Sequence, residues 1–262
     1  MMNALARSSD VMAVPDPMHL FRLLGVGELQ AARLYFAGTP HVADQLEGVI
    51  RDADGWQPFA KAKSTWLRKH RARLQPLALV YSAARVVGEA TLHMRVDGKS
   101  VPLPIAFVAD VDGDRWSALR VYHSTWPVTG KHLVRAPLLK ADPRIVPPGF
   151  IGKYHDGLRS GDLEAVLSSF GPNGYMRQSK GGEFVAQGRE QLHALFAAVA
   201  AGGTRLDFCT LTDDGVRTAL EYNLLSWGGA LVPPQAGLAV YERGPGGLLT
   251  AVRLYDDIET PA

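Results

Sequence analysis

Two stretches of this chain, 133 residues apart, read alike, and that repeat limits what it can fold into. Residues 105–128 align without a gap onto residues 238–261, pairing Ala106 with Ala239, Gly113 with Gly246, Ala118 with Ala251, Arg120 with Arg253 and Tyr122 with Tyr255. Two further blocks keep the order. GELQAARLYF at 27–36 lies over GDLEAVLSSF at 161–170, and RLQPLALVYSAARVVGE at 73–89 lies over RLDFCTLTDDGVRTALE at 205–221. The last block matches Arg85 with Arg217 and Glu89 with Glu221. A period this long exceeds any solenoid unit. It predicts one small domain used twice, in a chain of 262 residues that suffices for two ordinary cores.

Composition narrows the function classes. The single cysteine, Cys209, excludes an intrachain disulfide and fits a reducing compartment, so a cytoplasmic location is expected. No apolar run reaches the length of a membrane span, and residues 1–17 read as a disordered tail without a signal-peptide core. Charge divides unevenly. Residues 1–140 carry 18 Lys and Arg against 12 Asp and Glu, while residues 141–262 carry 10 against 14. Opposite net charges favour docking of the two halves. The basic run at 61–74 reads as a helix with Phe59, Ala62, Trp66 and His70 along one stripe and its cations in solvent, rather than as a nucleic-acid surface. Neither metal-binding spacings nor phosphate-binding glycine loops occur, so no metal and no cofactor are expected.

The second half is the easier to read. Residues 148–160 predict a helix with Ile151, Tyr154 and Leu158 at helical spacing, and 163–170 a second short one. GYMRQSKGGEFVAQG predicts a hairpin turning at 180–182, followed by a third helix over 189–201. Four strands then run through 204–212, 216–227, 236–243 and 248–258. Helices first and a meander after them mean α+β. In the first half Trp56–Arg73 is the counterpart third helix.

This order, with GKYHDGLRSGDLEAVLSSF, GREQLHALF and the closing VRLYDDIETP, resembles the SnoaL-like polyketide cyclases of the nuclear transport factor two-like superfamily. The resemblance covers nearly all of 147–262 and reaches 20–140 through the internal repeat. It implies a cone in each half, a curved antiparallel sheet wrapped around helices and an apolar pocket. Members commonly pair sheet to sheet, so the chain looks like such a dimer fused into one polypeptide, able to associate further. The expected boundaries are 18–140, a Pro-rich linker at 141–149, and 150–262.

The resemblance also implies a site. In the limonene epoxide hydrolases the last strand carries a catalytic aspartate, whose place here is Leu254, with Val121 its counterpart. Alternation along a strand then turns Val252, Leu254 and Asp256 to one pocket, and Leu119, Val121 and His123 to the other. Arg120, Tyr122 and Ser124, with Arg253, Tyr255 and Asp257, take the opposite face. Residues kept in both copies read as scaffold; Asp256 and His123 share one inward position, differ, and both can move protons. Glu221 and Asn223 fall where the hydrolases carry the rest of their triad, which is not reproduced. Glu221 could instead pair with Arg217 or Arg205. Tyr175 and Arg177 fall at the position that orients the attacking water. The catalytic candidates are therefore Asp256, Tyr175, Asn223, Glu221 and His123. The candidate substrate contacts are Tyr154, Arg177, Trp227, Leu254 and Val121.

The leading expectation is a cofactor-independent enzyme acting on a small apolar oxygenated molecule, polyketide- or steroid-like, by removing a proton next to a carbonyl. The alternatives are a non-catalytic binder of apolar ligands, an epoxide hydrolase-like enzyme with an altered triad, and a scaffold whose pockets have filled.

Overall fold

In a computed structural model, residues 15–181, 185–200 and 202–259 are described, which leaves most of the proposed tail, Gly182 of the expected hairpin turn and the last three residues outside. The chain runs α1 (Pro17–Val26), α2 (Leu29–Arg33), β1 (Val42–Asp44), β2 (Gly48–Ile50), α3 (Ala53–Lys69), β3 (Arg73–Tyr81), β4 (Arg85–Val96), β5 (Lys99–Asp112), β6 (Arg115–Tyr122) and α4 (Trp126–Thr129). The same series then recurs as α5 (Gly149–Ser160), α6 (Leu163–Leu167), β7 (Phe170–Arg177), β8 (Val185–Gln187), α7 (Gly188–Ala200), β9 (Arg205–Asp213), β10 (Arg217–Trp227), β11 (Ala230–Arg243) and β12 (Leu249–Tyr255).

Each series builds one six-stranded sheet, ordered β2-β1-β6-β5-β4-β3 and β8-β7-β12-β11-β10-β9. The meanders are antiparallel, but β1 joins β6 and β7 joins β12 in parallel, so each sheet is mixed. The parallel pair follows from connectivity: a helix separates β2 from β3, and likewise β8 from β9, so the opening hairpin returns to the far edge of the meander. Pro102 and Pro104 fit inside β5 because only residues 106–112 of that strand pair with β6; their other edge is free of a donor requirement.

Two cores lie inside the cones and a third lies between them. In the first cone Phe36, Trp56, Phe59, Phe107 and Trp116 fill the centre, with Leu119 and Val121 on the sheet. Helix α3 starts at the Asp52 cap, whose carboxylate accepts from the Gly55 amide. Its buried face is Trp56, Phe59, Ala60, Lys63, Ser64 and Leu67, one step round from the expected stripe; Ala62 is exposed. The step has a cause in Lys63, which turns inward to pair with the buried Asp44 at 2.8 Å.

Between the cones, Val80, Val87, Ala106, Val108 and Tyr122 pack on Ala219, Ala236, Leu238, Val240 and Tyr255. Two buried ion pairs related by the repeat cross this layer. Arg120 Nε donates to Glu221 Oε1 at 2.5 Å and Arg253 Nε to Glu89 Oε2 at 2.7 Å. Each carboxylate also accepts from a tyrosine, Tyr122 to Glu221 at 2.8 Å and Tyr255 to Glu89 at 2.7 Å. The residues kept in both copies are thus the ones that join the copies. The connector, residues 130–148, is strapped to the second half: Asn223 Nδ2 donates to the Leu139 carbonyl at 3.0 Å, and the Ala236 amide to that of Arg135 at 2.9 Å.

Candidate active site in the second cone

The second cone encloses a space between its helices and its sheet. Tyr154, His155 and Leu158 of α5, Leu195 and Phe196 of α7, Tyr222 and Trp227 of β10, Tyr241 of β11, and Leu254 and Asp256 surround it. Its volume is about 40 Å³, taken as the space open to the centre of a water molecule. One water needs about 10–15 Å³ by that measure, so the cavity holds a few waters or a small ligand.

Asp256 is the carboxylate on a largely apolar lining, to which Gln178, Ser179, Lys180 and Thr204 add further polar groups. It is 5% exposed, and Tyr222 donates to its Oδ2 at 2.6 Å. Burial pushes its carboxyl above the usual carboxylate range; hydrogen bonds from Tyr222 and Ser179 pull back part of that rise. The side chain of Tyr222 crosses directly over Gly237, its cross-strand partner. A Cβ at Gly237 would lie 2.5 Å from the ring, so glycine is what lets the hydroxyl reach Asp256.

A second polar pair stands on the helix side. His155 Nε2 and the Tyr241 hydroxyl are 2.8 Å apart. Burial, and then the charge of Arg159, hold His155 down at about 3, so it is neutral at physiological pH. Tyr154, Tyr222 and Tyr241 are all pushed up by burial and stay protonated. The site therefore offers one carboxylate among neutral hydroxyls and a neutral imidazole, with Lys180 also on its lining.

Strand parity sorts the remaining candidates. Tyr154, Trp227, Leu254 and Asp256 line the cavity. Glu221 and Asn223 do not: their cross-strand partners Leu238 and Ala236 belong to the layer between the cones, and Glu221 meets Arg120, Tyr122 and Thr210 rather than Arg217 or Arg205. Tyr175 and Arg177 also face the first half. They stand beside Ala251 and Arg253 in the parallel pair, and the Tyr175 hydroxyl accepts from Arg253 at 3.2 Å, while Met176 between them turns to the cavity. In the first cone Val121 is packed into the filled core. His123 is buried, its Nδ1 3.1 Å from the Ser124 carbonyl; burial lowers its pKa and nearby Asp44 opposes that.

Tyr222, Ser179 and the His155–Tyr241 pair were not among the sequence candidates. For Tyr222 a signal existed. Its counterpart in the first half is Ala90, so the two copies differ there, whereas the neighbouring Glu221 and Glu89 agree.

Among the described residues no cluster of histidine, cysteine and carboxylate side chains is arranged to hold a metal, and no helix is long and apolar enough to cross a membrane. No protein-family model matches the chain, and no curated protein matches it. Solved structures do. A nuclear transport factor two-like protein of unknown function from Cytophaga hutchinsonii is 15% identical, with a TM-score of 0.35, over 44% of this chain and 94% of its own. The epoxide hydrolase/cyclase-like enzyme SalBIII, described in pyran ring formation in the polyether salinomycin, is 18% identical at 0.34, over 41% and 87%. A Catenulispora acidiphila protein with a ketosteroid isomerase-like fold, solved with trimethylamine, is 13% identical at 0.37, over 45% and 92%. By its own repeat and strand registers, this chain folds as two cones in tandem, each the counterpart of the other.

Proposed function

We propose that the second cone is a cofactor-independent proton-transfer site for a small, apolar, oxygenated molecule. Asp256 is the base that takes a proton from the carbon next to a carbonyl. Returning that proton to a different carbon completes an isomerisation; attack of the enolate carbon on a second carbonyl of the same molecule, with the proton on Asp256 passing to the new alkoxide, completes a cyclisation. The observation that carries this reading is a buried carboxylate on the wall of an apolar cavity, partnered by neutral hydroxyls and raised toward neutrality. The neutral phenol of Tyr154 is the donor for the enolate oxygen, because burial keeps its proton on. The narrow cavity favours a small ring or short chain over a molecule of steroid size.

The test is proton exchange. The full chain is incubated with 3-cyclohexenone in D2O, and loss of the protons next to the carbonyl is followed by NMR. Exchange faster than in buffer is expected, with a loss of about 100-fold or more in Asp256→Asn and ketone binding held within about tenfold. Exchange indifferent to Asp256→Asn, or binding and exchange lost together, would sink the assignment of Asp256 as base.

A further inference from the structure

The two halves share a β-bulge but not its cover. Leu77 is pushed out of register between Pro76, opposite Ala90, and Ala78, opposite Glu89. Cys209 is pushed out in the same way, between Phe208, opposite Tyr222, and Thr210, opposite Glu221. Yet Leu77 is 51% exposed and Cys209 only 7%.

The connector makes the difference. Over the bulge of β9, the Leu139 carbonyl lies 3.8 Å from Cys209 Sγ and accepts from Asn223 Nδ2 at 3.0 Å. The Asp142 amide donates to the Phe208 carbonyl at 2.8 Å, and Leu138 packs against the layer between the cones. Among the described residues, none covers the equivalent slot of the first half. There Pro76, Leu77 and Thr91, the counterparts of Phe208, Cys209 and Asn223, line a cleft of about 260 Å³ with Pro102 and Pro104.

Two features set how much of the connector's course the cleft matches. Pro104 lies opposite Thr91 as Ala236 lies opposite Asn223, and it has no amide to repeat the bond from Ala236 to Arg135. Arg177 already lies over Tyr255 at 4.7 Å, the seat that Arg135 takes over Tyr122 at 4.9 Å. The open length therefore corresponds to residues 136–142, the stretch that follows Arg135.

We propose that this cleft docks an extended peptide segment of a partner protein, laid over β3 and β4 as residues 136–142 lie over β9 and β10. The segment it fits carries two adjacent large apolar side chains, in the places of Leu138 and Leu139. Its backbone carbonyl accepts from the hydroxyl of the half-buried Thr91, as that of Leu139 accepts from Asn223. Covering Leu77 and the prolines removes apolar surface from water, and a proline leaves no backbone donor to strand. Backbone bonds at a sheet edge, with room for side chains beside them, are a recurring way of holding extended peptides. An untethered segment loses conformational entropy that the tethered connector does not, so a modest affinity is expected. The cleft is separate from the cone cavity, and its occupancy does not depend on Asp256 being a base.

Fluorescence anisotropy of a labelled peptide of residues 136–143, APLLKADP, titrated into the full chain tests this. Saturable binding at one site is expected. It should weaken at least tenfold in Leu77→Asp, and again when both leucines of the peptide are replaced by aspartate. Leu77 is half exposed, so aspartate there spares the core. Hydrogen exchange of the complex then locates the peptide, with new protection expected in β3 and β4. Protection in β9 and β10 instead would mean that the peptide has displaced the connector, and it overturns the proposal. Absence of saturation by about 1 mM overturns it too. So does a titration that Leu77→Asp, or the loss of both peptide leucines, leaves unchanged.

Discussion

Asp256 carries its charge against the preference of its surroundings, and Tyr222 is what makes that tolerable. Its carboxyl is raised by burial, so the folded state holds the proton more tightly than the unfolded chain does. Below the ordinary carboxylate range, about pH 4, both states are protonated and nothing is lost. As pH rises through the folded-state value, ionisation draws down folding stability. Asp256→Asn should therefore raise the melting temperature at pH 7, with the gain vanishing near pH 4. Activity runs the other way, since a base must be ionised. The rate should climb as pH passes through the raised value. In Tyr222→Phe, which removes a hydrogen bond that favours the charged form, the acid limb of that profile should move to higher pH. A profile unmoved by Tyr222→Phe would separate Asp256 from the titration that governs turnover. Tyr222 also shows why single residues were harder to read than the fold. Residues 218–224 of β10 are buried on both faces, so no alternation of apolar and polar marks its inner side. Comparison between the copies carries more information: Glu221 and Glu89 agree, Tyr222 and Ala90 do not.

At the scale of elements, β4, β6, β10 and β12 act as one device. They carry the crossed pairs Glu89–Arg253 and Glu221–Arg120, which hold sheet to sheet. The repeat makes the two pairs alike, yet their surroundings differ. Arg120 has a second carboxylate, with Nη1 2.5 Å from Asp110, while Arg253 has only the longer contact to Glu242 at 3.3 Å. Removing one member of a buried pair strands the other charge, at a cost of about 3–5 kcal/mol. Glu89→Gln should approach that range in urea denaturation, and Glu221→Gln should cost measurably less because Asp110 remains. Equal losses would mean that Asp110 does not support Arg120. The order of these elements was legible in the sequence, because helix and strand periodicities repeat in both halves. The facing of β12 came from the resemblance and not from the strand's own pattern; in the structure Leu254 and Asp256 line the cavity and Tyr255 lies in the layer between the cones. The closing parallel pair was not legible. A three-residue β1 carries no pattern of its own, and the parallel pairing of β1 and of β7 is set by where the chain returns.

For the whole molecule, the repeat raises the question of why the two halves pair with each other and not each with its own kind. The answer lies where equivalent residues touch. Ser124 and Asp257 occupy the same place in the repeat, and Ser124 Oγ donates to Asp257 Oδ1 at 2.6 Å. Two equivalent positions in contact must lie beside the pseudo-twofold axis. Asp257 also accepts from Thr125 at 2.6 Å and from the Leu133 amide at 2.9 Å, with both partners supplied by the first half or the connector. In a homodimer of second halves, Asp257 would face its own copy, two buried carboxylates without those donors. Repulsion of that kind selects the mixed pair by penalising the alternative. Expressed alone, residues 141–262 should thus resist dimerisation at neutral pH and associate one to one with residues 1–140 when the two are mixed. Asp257→Ser in the isolated second half should restore a homodimer, because the Arg253 and Glu221 of each copy are already complementary across the axis. Sedimentation of the two fragments, alone and mixed, reads all three states. A stable wild-type homodimer of second halves would show that the contact beside the axis does not choose the partner.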